Sequence, residues 1–445
     1  MSQANQGRAA LALLLCGALI VAVALGIRHS FGLFLQPVSM ANGWGRDVFA
    51  FAIAVQNLVW GLAQPFAGMV ADRLGARRVI IAGTVLFAAG LVLMAQPLGA
   101  PAFILAAGVL VGLGLAGTTF PIVLGAVSRA LPPERRSMAF GLTMAVGSAG
   151  QFVFLPVVLG LLDGFGWAAA LLALSALAAC MLPLAFMLGA DRGSRGQPAG
   201  PTAGAAFREA MAHRGFWLLT LGFGVCGFQL VLIGVHLPAF LSDQGIDIGV
   251  ATTVLALIGL FNIPGTLAAG WLGARFAKPG LLVWIYLGRA AAIAGFVYLP
   301  ITTGSAMVFG VLMGLLWLST VPLTNGTIAT IFGVRNLSML GGVAFLSHQV
   351  GTPSRRLAGR PRLRSARLLR PRLGRGHRAR PRRGPAQPAD PRAPGDAGAG
   401  RGRRVTGRAG SWLLALAGIA VLALAWRGYD EASFILMLQS LPFCG

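Results

Sequence analysis

From residue 9 to residue 350 the chain alternates long apolar runs with short polar breaks, and that pattern leaves it few ways to fold. The runs cover 9–35, 47–71, 79–96, 101–128, 138–162, 167–189, 215–241, 250–273, 280–300 and 305–332, with the start of an eleventh at 338–350. About 20 apolar residues cross the hydrocarbon core as a helix, and a helix satisfies its own backbone groups where no water is present. Charged residues make up 11% of the chain, against about a quarter in a soluble domain. The expected fold class is therefore an all-α membrane protein. The 63 glycines fit helices that pack closely in lipid. The first run follows Arg8 and lacks a small-x-small cleavage site before Arg28-His29-Ser30, so it reads as an uncleaved span and not a signal peptide.

Positive charge sets the expected orientation. With the N-terminus inside, the cytoplasmic side collects Arg8, Arg73, Arg77, Arg78, Arg129, Arg135, Arg136, Arg192, Arg195, Arg208, Arg214, Arg275, Lys278 and Arg335. The opposite side has only Arg46. Residues 1–190 then form a six-helix half, 191–214 a cytoplasmic linker, and 215–350 a second half reaching the start of helix 11. A shift of 202 residues lays Gly270 on Gly68 and Arg275 on Arg73, while Ala274 falls on Asp72 and Ala277 on Gly75. The two halves read as a degenerate internal repeat.

Between the second and third runs lies Gly68-Met69-Val70-Ala71-Asp72-Arg73-Leu74-Gly75-Ala76-Arg77-Arg78, a charged hairpin of the form G-x-x-x-D-R-x-G-x-R-R. It resembles the short cytoplasmic loop of the major facilitator superfamily of secondary transporters, and the resemblance extends to about residue 351. It implies two six-helix halves with a substrate between them near the midplane. It also implies that Asp72 latches the halves when the carrier faces outward, with Gly68, Arg73, Gly75, Arg77 and Arg129 serving the same gate. Asp72 can pair with a cation, Arg129 being the expected partner, or with the positive N-terminus of a facing helix. The arginines can equally do no more than hold the hairpin inside. Val235-His236-Leu237-Pro238-Ala239-Phe240-Leu241-Ser242-Asp243-Gln244-Gly245-Ile246, with Phe31-Gly32-Leu33-Phe34, is similar to the monocarboxylate and oxalate/formate group of that superfamily. Carriers of that group commonly have a basic residue in helix 8; the run 250–273 has none, only Asn262.

Arg28 is the leading candidate for a substrate contact. A charge inside a span costs about 2.5–3.5 kcal/mol on insertion scales, so it tends to face a cavity or a partner. A guanidinium there can take a carboxylate through two parallel hydrogen bonds, or it can snorkel to the outer headgroups. Gln151, Asn325 and His348 are the other expected cavity residues. Arg289 is expected to be structural, and most remaining amides in the spans to be interhelical hydrogen-bonding groups. His29 is either a proton carrier or an interfacial histidine.

Other functions find little support. There is no G-x-x-x-x-G-K-[ST] motif, Lys278 is the only lysine, and no nucleophile–base pair or metal cluster stands out. Cys16, Cys180, Cys226 and Cys444 show no paired spacing. The expectation is a carrier and not an enzyme. It needs no cofactor and moves a small organic anion, with a proton as the possible coupled ion. It works as a monomer in a bacterial inner membrane without binding nucleic acid. The alternative is a membrane protein that inserts but transports nothing.

The net charge of +24 is concentrated in one place: residues 354–408 hold 18 Arg and 2 Asp, leaving +8 for the rest. From 351 to 410 the chain is largely Arg, Pro, Gly, Ala and Leu, and this segment cuts helix 11 after about a dozen residues, too few to span. It reads as a cytoplasmic arginine-rich tail for anionic lipid or nucleic acid, as a disordered linker, or as GC-rich coding sequence translated out of frame. The hydrophobic segment 411–445 offers one marginal span that cannot be helix 12 by position. Resequencing codons 340–412 and translating all three frames separates these readings. A frame change predicts two apolar spans in another frame, and a genuine tail predicts none.

Overall fold

The computed structural model describes residues 3–188 and 200–350, and these are helical throughout, with no strand among the described residues. The segments 351–410 and 411–445, any twelfth helix, and Arg192 and Arg195 of the linker lie outside the described residues. The spans are α1 (Ala9–Ala41), α2 (Arg46–Leu74), α3 (Ala76–Met94) and α4 (Ala100–Ala130). The run Pro133–Met187 follows, which divides at Gly166 into α5 (133–165) and α6 (167–187). After a short linker helix, Ala203–Ala212, come α7 (Arg214–Asp243), α8 (Ile248–Arg275), α9 (Lys278–Tyr298) and α10 (Thr303–Phe332). The shorter α11 covers Leu337–Val350.

Two tight reversals depend on glycine. Gly166 has φ 77° and turns α5 into α6 within one residue, so the break expected between 162 and 167 is almost closed up. Gly75 has φ 91° and does the same between α2 and α3. A side chain is strained at such φ, and glycine is not.

Two spans read as continuous in the sequence are interrupted. In α4 a π-helical stretch covers Leu105–Leu110, and Thr119 is extended, so the helix restarts at Phe120. In α10 the helix stops at Leu316 and restarts at Thr320. Backbone groups released inside a membrane need new partners, and amides on the neighbouring helices supply them. Gln56 Nε2 donates to the carbonyl of Ala107 at 2.7 Å, and Gln64 Nε2 to that of Ala116 at 3.0 Å. Asn262 Oδ1 accepts from the N–H of Leu318 at 2.9 Å. Arg289, fully buried in α9, donates through Nη2 to the carbonyls of Leu316, at 2.6 Å, and Trp317, and through Nη1 to Gln229. Its positive charge thus rests on the carbonyl end of the first part of α10, where the helix dipole is negative. The repeat is visible here. Trp60 Nε1 donates to Thr119 Oγ1 at 3.1 Å at the α4 break, and Asn262, which the 202-residue shift lays on Trp60, serves the α10 break.

The first half (α1–α6) meets the second (α7–α11) along two close seams. Along α2 and α11, a Cβ on Gly68 would run into the backbone carbonyl of Ser338. One on Gly342 would lie 2.8 Å from the carbonyl oxygen of Gln64, and one on Gly61 2.8 Å from Gln349 Cβ. Along α5 and α8, a Cβ on Gly141 would lie 2.7 Å from Gly270 Cα, and one on Gly273 2.5 Å from Ser137 Oγ. Asn262 Nδ2 donates to Ser148 Oγ at 2.8 Å at the far end of this second seam. Each seam occupies about 16 Å of helix, at 1.5 Å per residue.

Asn262→Leu tests how much the α10 break relies on its amide. It orphans the Leu318 N–H, a loss of about 1–3 kcal/mol for a buried donor. The purified variant is expected to unfold at a clearly lower temperature in detergent; an unchanged midpoint would mean that N–H finds another acceptor.

Candidate functional site

At the arginine-rich end of the bundle the last turn of α2 carries Asp72, one turn after Gly68. The glycine lets the α2 backbone approach Ser338 closely enough for the next turn to reach the start of α11. There the first N–H groups of the helix have no partner within it and carry positive partial charge. Asp72, 1% exposed, takes them: its Oδ1 accepts from the N–H of Ser338 at 3.2 Å and its Oδ2 from that of Met339 at 2.9 Å. Arg129 Nη1, from the end of α4, donates to Asp72 Oδ1 at 2.6 Å. One carboxylate therefore joins a cation of its own half to the helix terminus of the other. The equivalent position at the second seam is Ala274, and that seam closes by glycine packing with the Asn262–Ser148 hydrogen bond at its far end.

The rest of the hairpin does not join this contact. Arg73 and Arg78 are exposed, and the Arg77 guanidinium lies 4.8 Å from the centre of the Phe186 ring. Gly75 N–H bonds the carbonyl of Ala71 at 2.9 Å and shapes the turn. Asn325 lies beside the seam, packed against Gly341, with Nδ2 on the carbonyl of Val321 in its own helix. That puts it about two turns from the level of Arg28.

A polar layer caps the α2–α11 seam. Arg28 Nη2 donates to Asn57 Oδ1 at 2.9 Å, and Arg28 Nε is buried with no hydrogen-bond partner among the described residues. Gln349 Nε2 reaches the Asn57 carbonyl at 3.4 Å, and His348 Nδ1 lies 3.4 Å from Gln349 Oε1. The His348 ring stacks on Phe345 with centroids 5.6 Å apart and lies 4.9 Å from Phe223. Phe345 in turn packs on Trp60 at 4.8 Å and Phe120 at 5.1 Å. Below Arg28, then, an aromatic plug is built from both halves. Gln151 sits on α5 beside Gly150, whose Cβ would meet the backbone of Ala22 in α1, and Gln151 Nε2 is buried without a partner among the described residues. His29 Nδ1 lies 2.9 Å from the carbonyl of Leu25.

A bundle in two halves, closed at the arginine-rich end by a carboxylate on a helix terminus, is the architecture of a carrier. The family model described as Major Facilitator Superfamily matches residues 9–353. The chain belongs to the Major Facilitator Superfamily. It is 26% identical over 345 residues to the MFS-type transporter YcxA of Bacillus subtilis strain 168, covering 73% of this chain and 81% of that one. It is 32% identical over 279 residues to monocarboxylate transporter 11 of Mus musculus, covering 61% of this chain and 59% of that one. The chain thus spans about three fifths of this second relative. Among solved structures, the Escherichia coli fucose:proton symporter FucP matches with a TM-score of 0.62 at 14% identity, covering 94% of this chain and 98% of that one. That likeness shows the superfamily fold alone.

The arrangement can hold an anion at a guanidinium, close one end with a charge and a helix dipole, and bend at interrupted helices. Among the described residues no group of three or more His, Cys, Asp or Glu is placed to hold a metal ion. The residues that sequence reasoning passed over are Asn57 and Gln349, ranked with the other membrane amides, and the aromatic plug of Trp60, Phe120 and Phe345. Their only signal was spacing along a span, which does not say which neighbour they meet.

The Asp72–Arg129 pair is testable by a double-mutant cycle on thermal unfolding with Asp72→Asn, Arg129→Gln and both together. The losses are expected to be non-additive, with a coupling of about 0.5–3 kcal/mol. Additive losses would show two independent groups.

Proposed function

We propose that this membrane transporter is a secondary carrier of a small monocarboxylate-class anion, working by alternating access with its N-terminus and linker on the cytoplasmic side of a bacterial inner membrane. The observation that carries the reading is Arg28, a charge within a span, bound to the neutral amide of Asn57 at the top of the closed seam. A cation kept inside the membrane on a neutral amide is suited to a substrate that brings a carboxylate. Resemblance to a relative named as a monocarboxylate transporter supports the same class. In this reading His348, beside Gln349, and Gln151, whose Nε2 is buried without a partner among the described residues, serve the same site, while Asn325 is better assigned to the gate side.

In this reading Asp72, Arg129 and Gly68 hold the cytoplasmic end shut, and Gly75, Arg73 and Arg77 keep the hairpin folded and inside. Opening that end requires Asp72 to release the α11 terminus, so a cycle through both states breaks the two hydrogen bonds that one carboxylate makes there. A coupled proton would travel on the substrate carboxyl or on His348, since Asp163, Asp243 and Asp247 lie at span ends. The carrier acts as a monomer.

A second reading follows from the sequence after Val350, where a stretch rich in Arg, Pro and Gly stands in place of the apolar residues that would complete an eleventh span. A remnant that inserts and transports nothing would have this feature.

Uptake of radiolabelled lactate, pyruvate, acetate and benzoate into reconstituted vesicles tests both. The parent chain is expected to accumulate at least one of them, and Arg28→Gln to lose at least ten-fold of that uptake with normal insertion. Undiminished uptake by Arg28→Gln would remove the anion assignment, and a silent parent chain would favour the remnant.

A further inference from the structure

The charge of Arg28 is used only if its donors face the right way, and the polar layer contains the group that orients them. Arginine carries five N–H donors in a rigid planar fork. One of them, on Nη2, is held by Asn57 Oδ1 at 2.9 Å. Nε, on the adjoining edge of the same fork, is buried and has no acceptor among the described residues. The bond to Asn57 uses one of the two Nη2 hydrogens, so the other can act with Nε–H on a second acceptor along the Nε edge. Asn57 is itself held: its backbone carbonyl accepts from Gln349 Nε2 of the other half at 3.4 Å, next to the point where Gly61 packs on Gln349.

The identity of the partner matters as much as its position. An aspartate at 57 would accept the same hydrogen bond and also neutralise the guanidinium, giving a buried ion pair that a carboxylate substrate would have to break. The amide orients the fork at no cost in net charge. The single bond leaves room for one planar oxyanion gripped through two parallel donors, which is the geometry of a monocarboxylate.

We infer that Asn57 is the positioning residue of the anion site, holding the Arg28 guanidinium uncompensated with its Nε edge turned to the substrate carboxylate. This rests on the assignment of Arg28 to the anion. Because Asn57 also touches Gln349, an anion seated on Arg28 lies directly over the top of the closed α2–α11 seam.

The test uses the purified full-length chain and equilibrium binding of lactate, pyruvate, acetate and benzoate, with thermal unfolding read in parallel. The variants are Asn57→Asp, Asn57→Ala and Arg28→Gln. Asn57→Asp is expected to weaken carboxylate binding at least ten-fold while its unfolding temperature is kept or raised by the new ion pair. Asn57→Ala is expected to weaken binding less, three- to ten-fold, since the charge remains and only its orientation is lost. A residue that merely packs would give the reverse order, with alanine the worse in both stability and binding. If Arg28→Gln loses binding and Asn57→Asp binds like the parent, the Arg28 assignment stands and the positioning role is overturned. If Arg28→Gln binds like the parent, or the parent binds none of the four carboxylates, the anion reading and this inference fall together.

Discussion

Inside a bilayer two helices gain little by burying apolar surface against each other, because lipid tails are as apolar as leucine. The halves of this carrier must be held by what only close contact supplies: dispersion between touching backbones, and hydrogen bonds that lipid cannot offer. Glycine at 61, 68, 141, 270, 273 and 342 makes that contact possible along two seams. The rest follows from it. With α2 and α11 so close, Asp72 reaches the N-terminus of α11; with α5 and α8 so close, Asn262 reaches Ser148.

The two seams are built on one plan and finished differently. Both use glycine against backbone, and both lie beside a span that is interrupted at its pseudo-equivalent level, α4 at Thr119 and α10 at 317–319. Only the first carries an ionic contact, because the repeat places alanine at 274 where the first half has Asp72. Across the first seam the Asp72 carboxylate meets a helix N-terminus, a contact of up to about 2 kcal/mol in favourable partly buried geometries, while its ion pair with Arg129 stays within the first half. Arg289 shows the contrasting use of a buried charge: its donors rest on the carbonyls of a helix end, where nothing in a transport cycle need displace them.

A polar layer lies at the end of the α2–α11 seam away from Asp72. Arg28, Asn57 and Gln349 run from α1 through α2 to α11, and the aromatic plug of Trp60, Phe120, Phe345 and Phe223 packs beside it. Asn57 therefore meets both Arg28 of its own half and Gln349 of the other.

Much of this was legible in the sequence, because the bilayer imposes it locally. Span length follows from hydrocarbon thickness, and the charged hairpin after α2 follows from a pattern of residues eleven long. Asp72 could be read as a charge at a helix end, and Arg289 as a structural arginine, since each needs only its own span to be placed. The break in α4 was legible only as a bend allowed by its glycines and Pro121, which has no N–H for a continuous helix, and that in α10 was not; the amides and guanidinium that complete both breaks arrive from elsewhere. Nor could composition separate Asn57 from Gln56 one residue earlier, although Gln56 braces the π turn of α4 and Asn57 meets Arg28. Sequence alone determined the number and order of the spans and which of their ends carry the positive charge, because those depend on short stretches meeting a slab of fixed thickness. Only the tertiary structure decided which backbone groups go unpaired and which side chains complete them, because that depends on contacts between residues 27 to nearly 300 positions apart.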